Sequence, residues 1–150
     1  MINTSAAIRG NFHHRPKPGA AEESELPGRD LAELVEQGLR RVGFAIEGVV
    51  YEEPFFVVRC RVGQFEYELL SYLFDPHDVN PVWVVDCPSR LGFFDKWFAR
   101  SKNAEYASVL QAIHRTLISD HRVREVRWFR SLPADPFSAE GYSRIPVSPH

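Results

Sequence analysis

Residues 59–68 read RCRVGQFEYE, and the fold turns on how this stretch doubles back on itself. Two arginines and two glutamates stand in mirror order about Gly63-Gln64. Glycine first in a two-residue loop suits the primed turns that join antiparallel strands, so the stretch reads as the tip of a β-hairpin. Upstream, FFVVRCRV places Phe56, Val58, Cys60 and Val62 on one side and Phe55, Val57, Arg59 and Arg61 on the other, because successive strand side chains point to opposite faces. Counting outward from the turn sets the register. Val62 faces Phe65, Arg61 faces Glu66, Cys60 faces Tyr67, Arg59 faces Glu68, Val57 faces Leu70 and Phe55 faces Tyr72. Both unlike-charge pairs then share one face, where they favour this register over a one-residue slip that would send every side chain to the other side.

Helices and further strands flank the hairpin. Asp30 is placed to cap a helix over 30–42, Glu33 follows three residues later as in a capping box, and Leu31, Leu34, Val35, Leu39 and Val42 recur at helical spacing. Gly43 ends it in the C′ manner. FAIEGVVY (44–51) reads as a strand before Pro54, and PVWVVDC (81–87) as another bounded by prolines. A second helix is expected over 103–119, with Tyr106, Val109, Leu110, Ile113 and Leu117 on one stripe. RVREVRWFR (122–130) reads as a closing strand with Val126 and Trp128 on one face. The predicted class is α+β: an antiparallel sheet of about four to five strands, in the order helix, strand, hairpin, strand, helix, strand, covered by two helices. Residues 1–28 contain Pro16, Pro18 and Pro27 without apolar periodicity and read as a mobile lead-in. Residues 29–131 read as a single α+β domain and 132–150 as a proline-containing tail extended along the surface. Either the aromatic LGFFDKWF (91–98) or the tail, through Phe137 and Tyr142, is expected to cover the apolar half of the hairpin face.

Composition narrows the function classes. A chain of 150 residues, 44% hydrophobic and 13% aromatic, suits one domain with a sizeable core. A net charge of -2 argues against a polyanion as main partner, since nucleic-acid modules carry a basic footprint. Arg122, Arg124, Arg127 and Arg130, interleaved with Trp128 and Phe129, have the composition of an RNA-binding strip. Strand alternation, however, points Arg127 away from Arg124 and Arg130, and a solvated edge strand accounts for the arginines. The chain has no apolar run of membrane-spanning length and its N-terminus has no continuous apolar stretch, so a cytoplasmic protein without membrane contact is expected.

Catalytic constellations are sparse. Cys60 and Cys87 fall in apolar strands and are expected to be reduced, buried thiols. A nucleophile built from either with His114 and Asp86 is weighed against the rise in thiol pKa that burial brings. Asp75, His77 and Asp78 form one possible ligand group, and His114, Asp120 and His121 another, but His114 and His121 lie about two turns apart, unlike the i, i+4 histidines of a zinc helix. Neither a metal nor another cofactor is expected. The chain has no GxSxG, phosphate-binding glycine loop or dinucleotide fingerprint.

What remains is a surface. Phe55, Val57, Leu70 and Tyr72 offer an apolar centre and Arg59, Arg61, Glu66 and Glu68 a polar margin, the anatomy of a protein–protein interface. Acidic residues crowd the stretch from Glu22 to Glu53, while basic residues predominate from Arg90 to Arg130. Glu33 and Glu36 of the first helix are therefore added to the candidate partner-binding residues, as a means of attracting a basic partner. The element order, with WVVDC and the closing AIHRTLISDHRVREVRWF, resembles small single-domain bacterial proteins of uncharacterised or immunity type. That resemblance implies a non-catalytic module that neutralises a secreted toxin domain by stoichiometric binding. An enzyme with a noncanonical pocket is the alternative reading, and a structural or adaptor subunit the third.

Overall fold

The computed structural model describes residues 2–13, 26–63, 65–74, 80–88 and 99–147, the first five of the last stretch by their backbone. The elements run β1 (Ser5–Gly10), α1 (Arg29–Arg41), β2 (Ala45–Glu52), β3 (Phe55–Val62), β4 (Phe65–Leu73), β5 (Val82–Asp86), α2 (Ala99–Ser119) and β6 (Val123–Phe129). The strands form one sheet in the order β2-β3-β4-β5-β1-β6, and neighbours are antiparallel throughout. The α+β class stands, with six strands among the described residues where four to five were expected.

The additional strand comes from the stretch read as a mobile lead-in. β1 lies inside the sheet, with Ile8 opposite Trp83 of β5 and Val126 of β6, and Ala6, Ala7 and Ile8 have no exposed surface. Its apolar signal is short and rests largely on alanines, which have weak strand preference. It is the burial between two partners distant in sequence that makes it a strand. The domain therefore begins well before residue 29, and residues 14–25 of the expected lead-in lie outside the described residues.

The hairpin forms in the register counted from its turn, from Val62↔Phe65 through Arg61↔Glu66, Cys60↔Tyr67 and Arg59↔Glu68 to Val57↔Leu70. Gly63 has φ 60°, the positive value that the first loop position of a primed turn requires. Alternation along the strands divides the sheet into two faces. On one, Phe56, Val58, Leu69, Trp83, Ile8 and Trp128 meet Leu31, Val35 and Leu39 of α1 and Leu110, Ile113 and Leu117 of α2 in a single core.

The helix ends follow local chemistry. α1 starts after Gly28, at φ 102° and with no side-chain cap, so Asp30 is not the cap its position suggests. It sits in the first turn, where a carboxylate complements the helix dipole. There it accepts hydrogen bonds from the backbone N–H groups of Leu31 at 3.0 Å and His13 at 2.8 Å. The other end is as expected. With Gly43 at φ 93°, its N–H donates to Arg40 O and that of Phe44 to Leu39 O, the paired bonds of a Schellman motif. α2 begins four residues before the expected start at 103. The two helices cross where a Cβ on Gly38 would lie 2.0 Å from Thr116 Oγ1.

Beyond β6 the chain crosses to the other face of the sheet, the helix-free face, against which no helix packs among the described residues. Leu132, Phe137 and Ala139 pack on a second, smaller core of Ala7, Val82 and Phe129. Backbone bonds fasten this strap: Trp128 and Ser143 exchange a pair at 2.8 and 2.9 Å, and the Asn3 N–H donates to Pro146 O at 2.8 Å. The expected surface tail is thus a tethered cover for β5, β1 and β6.

Candidate functional site

The helix-free face has two halves of different character. Over β5, β1 and β6 it lies under the strap, which also immobilises two arginines. Arg127 places its guanidinium 4.1 Å from the Tyr142 ring centre and 4.9 Å from that of Phe137, and donates to Phe137 O at 2.9 Å. Arg9 stacks over Phe137 at 4.5 Å. Phe137 and Tyr142 therefore cover the strand-β6 end and not the apolar half of the hairpin. The segment 91–98, the other cover considered, lies outside the described residues. Burial of Trp128 and Phe129 also leaves the arginine run without exposed rings to stack bases.

Over β2, β3 and β4 the same face carries the hairpin residues singled out from the sequence. Phe55, Val57, Arg59 and Arg61 of β3 lie on one pleat with Glu66, Glu68, Leu70 and Tyr72 of β4, as the register requires. The rings of Phe55 and Tyr72 meet edge to face with centres 5.0 Å apart. Phe55, Leu70 and Tyr72 are half-buried, whereas Val57 is 1% exposed and supports the patch from beneath instead of offering a contact. Val50 of β2, opposite Val57, is 43% exposed and takes that place.

The charge ladder spans three strands. Arg59 Nη2 donates to Glu52 Oε1 at 2.8 Å, and Arg59 Nε lies 3.5 Å from Glu68 Oε1. The Glu52 hydrogen bond, reinforced by Glu68, holds the Arg59 pKa above the ordinary arginine value. Glu52 was missed in the sequence because it reaches the ladder from β2, beyond the strands linked by the counted turn. Arg61 and Glu66 are register partners, yet both are exposed at the hairpin tip and form no ion pair among the described contacts, a position where such a pair contributes little.

Glu33 and Glu36 do not join this surface. They belong to α1, which packs on the opposite face of the sheet, and each is engaged locally: Glu33 with Arg29 at 2.9 Å and Glu36 with Arg40 at 3.5 Å. Acidic residues close in sequence have been separated by the thickness of the sheet.

Asp86 lies further across the helix-free face, opposite Leu70 of β4 on one side and Ser5 of β1 on the other. Ser5 Oγ donates to Asp86 Oδ1 at 2.8 Å. Burial pushes the Asp86 carboxyl above the ordinary carboxylate range, against the opposing pull of the Ser5 bond. Burial, with the Asp86 charge added, likewise raises the Tyr72 hydroxyl.

Among the described residues the two cysteines lie in the core, His114 is half-buried beside it and His121 is exposed. Cys60 and Cys87 are free and buried; burial pushes the Cys60 thiol up to about 11 and that of Cys87 further in the same direction. His114 Nδ1 accepts the indole N–H of Trp128 at 3.1 Å, and burial lowers its pKa. Among the described residues no group of three or more His, Cys, Asp or Glu is arranged to hold a metal ion. Asp75, His77 and Asp78 lie outside the described residues. A cleft of about 280 Å³ between the helices is lined by Arg41, Arg115, Thr116 and Arg122, with Arg122 tied to Asp120 at 2.9 Å. A second, of about 200 Å³, lies between Leu26, Tyr51, Pro54 and Leu73. Neither is lined by the hairpin-face residues. No helix among the described residues is long and apolar enough to cross a membrane. Set against protein families, curated proteins and solved structures, the chain matches none.

Proposed function

We propose that this protein acts by stoichiometric binding of another protein through the hairpin half of the helix-free face, and that its specific form is neutralisation of a bacterial toxin domain. The observation that carries the reading is the division of that face. The strap covers one half, while Val50, Phe55, Leu70 and Tyr72 stay partly open on the other, bordered by the Glu52–Arg59–Glu68 ladder, Arg61 and Glu66. A half-open aromatic centre with a charged margin is the usual composition of an interface. Carboxylates outnumber guanidiniums in this margin, which favours a basic partner and faster encounter with it. The attraction comes from the hairpin itself and not, as read from the sequence, from Glu33 and Glu36. A cytoplasmic location belongs to the same proposal.

The test is calorimetric titration of the folded protein with the product of the adjacent gene, comparing Phe55→Ala, Tyr72→Ala and Glu66→Ala. The aromatic variants should weaken binding by tenfold or more and Glu66→Ala only slightly, because central aromatic residues dominate binding energy and solvated rim charges contribute little. Unchanged affinity in all three folded variants would move the interface elsewhere. Turnover of a small molecule by the isolated protein would remove the binder reading.

A further inference from the structure

We propose that this surface receives the cationic side chain of a lysine or arginine from its protein partner, held by the Asp86 carboxylate beside the rings of Tyr72 and Phe55. The inference rests on the binder reading and specifies the chemistry of what is bound. Asp86 is half-buried and has no cation within ion-pair distance among the described residues. That is an uncommon condition for a carboxylate withdrawn from water, which is ordinarily paired.

Of the protein's own cations on this face, Arg61 stands exposed at the hairpin tip, two strands away from Asp86, and three others are committed elsewhere. Arg59 is held by Glu52 and Glu68, and Arg9 and Arg127 are stacked on Phe137. A carboxylate has about four lone-pair sites. The Ser5 hydroxyl engages only part of that capacity and orients the group. Tyr72 is the diagonal neighbour of Asp86 across β4 and β5, since Leu70 faces Asp86 and Tyr72 faces Val84. Phe55 supports the Tyr72 ring at 5.0 Å. Aromatic faces attract cations, so carboxylate and rings select for the same sign of charge. The burial that disfavours the bare Asp86 anion would be offset by an arriving cation.

The experiment is an NMR titration of the full chain with N-acetyl-lysine amide and N-acetyl-arginine amide, with N-acetyl-glutamine amide as the uncharged control. The cationic probes should shift the Ser5, Phe55 and Tyr72 signals saturably, the control should not, and Asp86→Asn should abolish the response while the fold persists. With the protein partner, Asp86→Asn should weaken binding at least tenfold. If that variant fails to fold, Tyr72→Leu removes the ring and leaves the carboxylate in place; it should weaken probe binding several-fold. Cationic probes that bind equally well to wild type and Asp86→Asn, or not at all, overturn the proposal. Probe binding that Asp86→Asn abolishes, together with no binding of the adjacent gene product, would keep the cation site and sink the binder reading; partner binding indifferent to Asp86→Asn would do the reverse.

Discussion

Replacing Gly38 by alanine should destabilise the protein by about 2 kcal/mol, although alanine is the better helix former. In a helix interior the exchange gains roughly 0.8–1.0 kcal/mol from propensity. Against it stands the crossing with α2, where the new Cβ would lie 2.0 Å from Thr116 Oγ1, 2.3 Å from its Cγ2 and 2.7 Å from its Cβ. Non-bonded carbon atoms rest roughly 3.5–4.0 Å apart, so the contact is too close by more than an ångström. Thr116 has little room to yield, being β-branched with Oγ1 donating to Ala112 O at 2.8 Å. The helices must separate and loosen the core beneath them. Overpacking of this kind costs about 1–3 kcal/mol and occasionally more, and an overlap this deep belongs at the upper end. Subtracting the helical gain leaves the stated value. For a domain of this size each kcal/mol lowers Tm by roughly 2–4 °C, so circular dichroism should record a fall of about 4–8 °C. The urea midpoint should drop with its slope unchanged. Thr116→Gly removes all three opposing atoms, and in that background Gly38→Ala should cost nothing. The reasoning fails if Gly38→Ala is as stable as wild type, or if its cost is the same with and without the threonine.

Two further outcomes follow from the core. With its pKa near 11, the Cys60 thiol is almost wholly protonated at neutral pH, and both thiols are shielded; thiol reagents should label the folded protein slowly and the unfolded chain fast, and rapid labelling of either cysteine in the native state would revive a nucleophilic role. His114 has a lowered folded-state pKa and accepts the Trp128 indole N–H through Nδ1. The unfolded chain therefore binds more protons than the folded one around the ordinary histidine pKa of about 6.5, so this contribution is fully present above that pH and is lost as pH falls through the folded value. Chemical denaturation should show lower stability at mildly acidic than at slightly alkaline pH, with a flatter profile in His114→Gln; identical profiles for the two proteins would refute the assignment.

The legible part of this fold was local. The hairpin could be counted from its turn because Gly63 fixes the loop length and every partner follows by alternation. The C-terminal end of α1 was equally readable, since Gly43 answers a backbone requirement that lies within a few residues. What escaped depends on pairings between distant segments. β1 carries too little apolar patterning to announce itself, and Asp86 reaches the candidate surface from a strand whose register no tight turn dictates, whereas Glu52 lies opposite Phe55 across the two-residue Glu53-Pro54 turn, from which no register was counted. The same limit explains Val57, whose alternation was read correctly while its burial was not. Glu33 and Glu36 show the converse error, because proximity along the chain says nothing about which side of a sheet a helix will cover.

The place of β1 between β5 and β6 bears on how the chain reaches this structure. From α1 to β4 each element adjoins the next through a short connection, so this half can assemble from local contacts at small loop-closure cost. β1 must wait for both of its partners, and its neighbourhood is joined by contacts as remote as Thr4 Oγ1 to Arg130 O, 126 positions apart. Such non-local pairing is the slow part of folding. Until β6 and the strap arrive, the valine- and tryptophan-rich β5 and the inner alanines of β1 lie in a partial sheet with an open edge, the kind of species that joins to copies of itself. A chain interrupted before Val123 is therefore expected to aggregate from an unfinished sheet rather than persist as a smaller version of the same fold.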